Sequence, residues 1–139
     1  MLRAELLTDD SPASYGPIAT TANSWSFAAD QYSGGTLSVK LLWSSNNANA
    51  GDVYWSVQLG ALEPVNATGE PAFGAEALVP FTHGGGKPDR LNEAVLALSR
   101  PAALGPGAMC VLRLRRRAAN ALDTMPGDAV VRSIVVTES

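Results

Sequence analysis

Histidine and cysteine are nearly missing from this sequence of 139 residues, which contains one of each, His83 and Cys110. This composition excludes a zinc centre built from several Cys and His ligands, and it excludes a disulfide framework. Cys110 lies in a strand-like segment with no histidine nearby to activate it, so we expect a small buried side chain. We therefore predict that the protein is not an enzyme and has no catalytic residues, no metal and no cofactor.

Charged residues are scarce too, at 17% of the chain, whereas about a quarter is typical of soluble proteins. The net charge of −3 provides no overall positive field for nucleic acid or for an anionic membrane. No apolar run approaches the ~20 residues of a membrane span, and Thr8, Asp9 and Asp10 stand where a signal peptide would be apolar. We expect no direct nucleic-acid partner, no membrane association and use without secretion.

Thirteen glycines and nine prolines are spread over the whole length and divide the chain into short segments. Two of these segments, residues 36–44 and 52–59, alternate apolar and polar side chains with the period of a β-strand. Each places one tryptophan, Trp43 or Trp55, on its apolar face, so we expect both rings in the core. Because about seven residues separate the two segments, we predict that they pair as antiparallel neighbours.

Further strands are predicted at Leu2–Leu7, Trp25–Asp30, Val79–Thr82, Met109–Arg117 and Ala129–Glu138. Residues 91–100 fit both a helical face and a strand, and we interpret them as a strand because the rest of the chain is strand-like. About eight short strands separated by turn signals predict an all-β fold, an antiparallel β-sandwich of jelly-roll type. The length is that of one domain spanning residues 1–139.

Three polar features of the loops are interpreted as structurally ordinary. Residues 81–87 place His83 before three glycines, which predicts a flexible turn with an exposed imidazole. Asp123 and Asp128 bracket a turn, where we expect solvent-facing carboxylates that bind local backbone. Residues 66–68 match a glycosylation acceptor, which we interpret as a chance match because a secretory signal is missing.

Four of the ten basic residues fall within residues 113–117. On a strand whose leucines face inward, Arg113, Arg115 and Arg117 would line one outer face. Two interpretations stay open: a solvated face that discourages edge pairing, or a contact with an acidic protein surface, since the guanidinium fork binds carboxylates bidentately. Nucleic acid is disfavoured, because no aromatic residues alternate with these arginines to stack on bases.

Residues 1–17 form a possible N-terminal arm, in which Leu2, Leu6 and Leu7 are followed by prolines and a glycine. The arm could pair its strand with another chain, or it could fold back on its own domain, and both alternatives stay open. In the first case the three leucines would join the arginines as residues of a partner interface.

Several short motifs occur in an order that resembles a known family. They are Trp25–Phe27, the Tyr-x-Gly-Gly step at Tyr32–Gly35, the strand at Leu37–Trp43, the Gly-Asp-Val-x-Trp step at Gly51–Trp55 and the Asp-Thr-x-x-Gly-Asp step at Asp123–Asp128. Across residues 22–138 this order resembles the jelly-roll cement, or decoration, proteins of tailed-phage capsids, as in short-tailed phages of Bordetella type.

The resemblance implies a virion structural protein made in the host bacterial cytoplasm and placed on the capsid exterior. Such a protein binds the major capsid protein across subunit junctions and stabilises the shell, and the family supplies no catalytic residues. We also expect self-association, with a homodimer favoured over a trimer, because a two-fold junction presents identical patches to the two halves of a dimer.

The main alternative is a carbohydrate- or receptor-binding module of a phage head fibre or tail appendage. In that case Trp25, Tyr32 and Tyr54 would be exposed as stacking platforms for sugar rings. A glycosidase that uses paired carboxylates is disfavoured, because no motif fixes such a pair.

Overall fold

The computed structural model describes residues 1–9, 11–47, 50–62, 69–87 and 90–139. These ranges contain ten strands: β1 (Arg3–Leu7), β2 (Ala13–Tyr15), β3 (Thr21–Ala28), β4 (Leu37–Ser45), β5 (Gly51–Leu62), β6 (Ala72–Phe73), β7 (Ala77–His83), β8 (Asn92–Leu98), β9 (Met109–Arg116) and β10 (Ala129–Glu138). No helix long and apolar enough to cross a membrane occurs in them. The predicted glycosylation acceptor at Asn66 lies outside the described residues.

The strands form two antiparallel sheets that pack face to face. Sheet A has the order β1-β10-β4-β8, with β2 also paired to β10, and sheet B has the order β3-β9-β5, with β6 and β7 both paired to β5. If β1 with β2 and β6 with β7 are each counted as one interrupted edge strand, each sheet has four positions connected as a jelly roll. The predicted fold class is therefore confirmed, and the count of ten rather than eight reflects the two interrupted edges.

The segment at residues 91–100 forms β8, as predicted, and it pairs with β4 over seven residues. The predicted pairing of β4 with β5 is wrong, because β4 lies between β10 and β8 in sheet A while β5 lies between β9 and β7 in sheet B. The two strands face each other across the core instead of side by side. Alternation of apolar residues identifies the buried face of a strand but not its neighbour.

The core lies between the two inner faces and contains both predicted tryptophans. Trp43 and Trp55 are fully buried, and their ring centroids are 5.8 Å apart in an edge-to-face arrangement. Tyr15 contacts Trp55 with its ring centroid at 5.3 Å. Cys110 is buried as predicted.

His83 contradicts its predicted exposure, because it is fully buried at the end of β7. Its Nδ1 accepts a hydrogen bond from the N–H of Gly85 at 3.0 Å, and its ring lies 5.9 Å from that of Trp43. Strand β7 pairs with β5 as far as His83 opposite Gly51, so the chain turns one residue later than the glycine run suggested.

The N-terminal segment folds back on its own domain, since β1 and β2 both pair with β10. The carboxylate of Glu138 in β10 closes this edge. It accepts hydrogen bonds from the N–H of Leu2 at 2.9 Å, from Oγ of Ser33 at 2.7 Å and from the N–H of Gly35 at 2.7 Å. The first and last strands are therefore joined to the loop before β4.

Candidate functional site

The outer face of sheet B presents the three predicted arginines in a line, which we call the arginine row: Arg113, Arg115 and Arg117. The row follows from the alternation in β9, where Leu112 and Leu114 are fully buried and point inward. Polar residues of β5 lie beside it, with Gln58 opposite Arg113 and Ser56 opposite Arg115 in the strand register. The outer face of this sheet therefore combines positive charge with hydrogen-bonding side chains.

Arg113 is held in place by an aromatic ring. Its guanidinium carbon lies 4.0 Å from the ring centroid of Phe73, which is a cation–π contact. Phe73 in turn lies over Gly60, where an added Cβ would come within 2.9 Å of the ring. No carboxylate of the described residues forms an ion pair with Arg113. The charge of Arg113 is thus fixed in position and, among the described residues, uncommitted, because no carboxylate there neutralises it.

Arg115 and Arg117 share one acid, Glu76, which lies between β6 and β7. Arg115 Nη1 is 3.6 Å from Oε1 of Glu76, and Arg117 donates to the same oxygen through Nε at 3.1 Å and through Nη2. Ser56 Oγ also donates to this carboxylate. Burial by itself would raise the pKa of Glu76, but these hydrogen bonds and the two positive charges outweigh it and lower the pKa. Glu76 therefore stays ionised beside the row.

A buried ion pair lies next to the arginine row, on the inner side of the same strand. Arg116 and Asp123 have side chains that are 0% and 2% exposed, and their nearest charged atoms are 2.8 Å apart. Arg116 also donates to the backbone oxygens of Tyr15, Met125 and Gly127. The predicted solvent exposure of Asp123 is therefore wrong. This network fixes the loop after β9 against the end of the sandwich.

The three leucines predicted for the interface lie away from the arginine row, in or next to β1 of sheet A. Leu2 and Leu7 are buried in the chain's own core, and Leu6 is half-buried against it. A partner would meet Leu2 and Leu7 only if β1 left its sheet. The structure thus brings the arginines together and leaves the leucines apart from them.

The three aromatic residues predicted as a sugar platform are also separated. Tyr32 is 4% exposed, donates its hydroxyl to the oxygen of Gly35 at 3.0 Å, and packs against Arg100. Trp25 packs against the core from the inner side of β3, whereas Tyr54 lies on the outer side of β5. Tyr54 alone shares a face with the arginine row, where its backbone oxygen accepts the N–H of Arg117.

Sequence reasoning missed two residues of this face, Phe73 and Glu76. Both lie in or beside the two-residue strand β6, which is too short to show alternation. The long connection between β5 and β7 also hides which strand they meet. The signal that the sequence did contain was the alternation of leucines and arginines over residues 112–117.

Sheet A carries a separate concavity of about 270 Å³ on its outer face, lined in part by Leu7, Leu42 and Leu91. The arginine at its rim is already engaged. Arg132 donates through Nη1 to Asp9 at 3.0 Å and through Nε to Ser44 at 3.1 Å. This site therefore lacks the uncommitted charge found at Arg113.

The similarity of this chain to known proteins is limited to the fold. No protein-family model matches the chain, and no curated protein matches it in sequence. A carbohydrate-binding module from the β-sandwich superfamily is 13% identical over 99% of this chain and 54% of its own length, with a TM-score of 0.45. This chain thus spans about half of that protein.

Two further solved structures are similar in the same way. The CBM36-1 domain of a multidomain xylanase from the hindgut metagenome of Trinervitermes trinervoides is 18% identical over 99% of this chain and 98% of its own, with a TM-score of 0.45. A chain of infectious bursal disease virus, Gt strain, is 16% identical over 97% of this chain and 32% of its own, also with a TM-score of 0.45. At these values the similarity carries no argument about function. The fold itself defines a jelly-roll β-sandwich domain.

Proposed function

We propose that this protein is a capsid cement protein, a virion structural protein that binds the outside of the major capsid protein lattice and stabilises the shell. The arginine row is the docking face, and it binds carboxylates of the major capsid protein. The observation that carries the proposal is Arg113, whose guanidinium is fixed on Phe73 and has no carboxylate partner among the described residues. The resemblance of the motif order to phage cement proteins supports the same function.

The charge of the face favours an acidic partner. Three guanidinium groups and the one carboxylate of Glu76 leave two positive charges on this part of sheet B. The guanidinium fork binds a carboxylate bidentately, and an arginine already held on an aromatic ring loses less side-chain freedom when it binds. An acidic patch on a capsid subunit would therefore meet a preorganised set of donors.

A weak contact per copy suffices for such a role. A standard protein interface buries about 800 Å² per partner, and a closed shell repeats the same contact many times. Each bound copy adds to the resistance of the lattice to rupture, so the total stabilisation of the shell is large even where one copy binds weakly.

The direct test is binding of the purified protein to empty capsids of the phage that encodes it, measured by co-sedimentation. Arg113→Gln should weaken binding by about tenfold or more, because it removes the uncommitted charge from the interface. Lys40→Gln is the matched control: it removes one charge from the outer face of sheet A, where Lys40 pairs with Glu93 at 3.6 Å. Binding of the control should equal that of the parent.

Two results would overturn the proposal. Unchanged capsid binding by Arg113→Gln would show that the arginine row is not the docking face. Capsids that lack the protein and withstand heat and genome release as well as complete ones would show that it has no cementing role.

Carbohydrate or receptor binding in a head fibre or tail appendage is the second candidate, and one observation favours it. Tyr54 lies on the same outer face of β5 as Gln58, so an aromatic ring and a hydrogen-bonding side chain share this surface. A glycan array would show saturable binding that Tyr54→Ala removes. An array on which no bacterial surface sugar binds would count against this candidate and would leave the capsid function as the remaining one.

A further inference from the structure

Strand β3 forms one edge of sheet B, and no strand in the described part of the chain pairs with its outer side. Along its other edge, within the sheet, β3 pairs with β9 through all eight residues, Thr21–Ala28, without a bulge. The backbone N–H and C=O groups on the free side of such a strand can hydrogen-bond to another strand. The edge is long and regular enough to accept one.

The other three edges of the sandwich carry features that hinder pairing. The β1/β2 edge is interrupted, has an irregularity between Glu5 and Leu7, and bears charged residues. The β6/β7 edge is also interrupted and contains Pro80, which lacks an N–H to donate. Strand β8 carries the charge of Glu93. By contrast, β3 contains no charged residue, proline or glycine.

We infer that β3 pairs with β3 of a second copy of this chain, antiparallel about a two-fold axis, with Trp25 opposite Trp25 of the second copy. An uncharged strand meets its own copy without charge conflict, and a two-fold axis places the same patch on both sides of the contact. This inference does not depend on the proposed function. It would hold for a capsid protein and for a sugar-binding module.

The register follows from the faces of the strand. Directly opposite residues of an antiparallel pair point to the same side, so inward residues must meet inward ones. Trp25 and Phe27 point inward and are only half-buried at this edge. A register centred on Trp25 places the two indole rings together and covers them. On the solvent-facing side of the sheet, the same register places Ser24 opposite Ser26 of the second copy.

The positive charges of the outer faces do not oppose this dimer. Strand β9 is next to β3 in each copy, so the two arginine rows would be separated by three strand spacings. At about 4.8 Å per spacing this is roughly 14 Å, well beyond the Debye length of about 8 Å at physiological ionic strength. The two basic faces would instead lie side by side on one continuous sheet.

The test introduces charges into the edge and then corrects them. Ser24→Lys with Ser26→Lys places lysine opposite lysine across the axis and should raise the dimer dissociation constant by about 100-fold. Ser24→Lys with Ser26→Glu places lysine opposite glutamate and should restore it to within about tenfold of the parent value. The measurement is molar mass by light scattering over a concentration series, with 14.4 kDa as the monomer mass.

Val95→Lys with Ala97→Lys is the matched control, because it adds the same charges at the same spacing to exposed positions of the edge strand β8. It should dimerise as the parent does, and circular dichroism would verify that every variant is folded. A parent that stays monomeric at all concentrations would overturn the inference. So would a double-lysine variant that dimerises normally, or a lysine–glutamate variant that remains monomeric.

Discussion

Arg116 and Asp123 form a bidentate ion pair inside the sandwich. Nε and Nη2 of the guanidinium lie 2.9 and 2.8 Å from the two carboxylate oxygens. The remaining donors reach backbone oxygens, and Oδ2 of Asp123 also accepts the N–H of Tyr54 at 3.0 Å. Because each charge is paired and hydrogen-bonded, the pair is tolerated where water is excluded.

Asp123→Ala should lower the free energy of unfolding by about 3–5 kcal/mol, because it leaves the charge of Arg116 buried without a partner. Asp9→Ala removes the carboxylate of an exposed pair with Arg132 and should cost less than about 1 kcal/mol. Urea unfolding of the two variants beside the parent measures both effects. Equal losses would contradict the special role of the buried pair.

The carboxylate of Glu138 should make the free energy of unfolding depend on pH in the acidic range. Hydrogen bonds from the hydroxyl of Ser33 and from the backbone of Leu2, Gly35 and Ser33 lower the pKa of Glu138 to about 2. A glutamate in an unfolded chain has a pKa of about 4.3, so the folded state prefers the ionised form. The stabilisation is complete above about pH 4.3 and is lost as the pH falls toward 2.

Glu138→Gln removes this titration. The difference in free energy of unfolding between parent and variant should be constant above about pH 5 and should shrink as the pH falls from about 4 to 2. Urea unfolding at a series of pH values measures it. Glu5→Gln, at an exposed position of β1, serves as the control. A parent and a Glu138→Gln variant with parallel pH profiles would show that this carboxylate does not hold the edge.

Cys110 should be protected from thiol reagents in the folded protein. Burial raises the pKa of its thiol to about 11, so very little thiolate is present at neutral pH. Labelling by iodoacetamide should be slow in buffer and fast in urea, with a midpoint that follows unfolding. Mass spectrometry gives the extent of labelling. Equal rates in the two conditions would mean that the inner face of β9 is open to solvent.

Gly51 occupies a position that another residue cannot take without strain. Its φ is +150°, and an added Cβ would lie 2.6 Å from Cα of Met125. Gly51→Ala should therefore destabilise the fold by about 1–3 kcal/mol or more. Gly105→Ala is the control, since nothing lies within 4 Å of its added Cβ. Thermal unfolding should separate the two variants clearly, and identical midpoints would contradict the close approach.

The alternation of apolar residues predicted the faces of the strands correctly and their neighbours incorrectly. Trp43 and Trp55 lie in the core because period-two alternation fixes which side of a strand is buried. The partner of a strand depends on contacts between distant parts of the chain, which alternation does not encode. The prediction of an exposed His83 is wrong for a related reason: the turn signal of the glycines is local, whereas the burial of His83 depends on pairing with β5.

The candidate site was partly visible in the same pattern. Alternation placed Arg113, Arg115 and Arg117 outward, and it also places Arg116 inward with the leucines of β9. A buried arginine requires a carboxylate, so this position could have predicted the role of Asp123. Nothing in the sequence could have placed Phe73 beneath Arg113, because that contact depends on the path of the chain between β5 and β7.

Strand β10 lies in the centre of sheet A, between β4 and the β1/β2 edge, although it follows all of these strands in the chain. During synthesis on the ribosome, sheet A therefore remains incomplete until residues 129–138 have emerged. Before that point β1 and β2 have no strand to pair with, and β4 is paired only with β8, so productive folding must wait until β10 is out of the exit tunnel. A product that stops short of β10 would expose apolar strands to chaperones and proteases, and would be removed before it could enter any assembly.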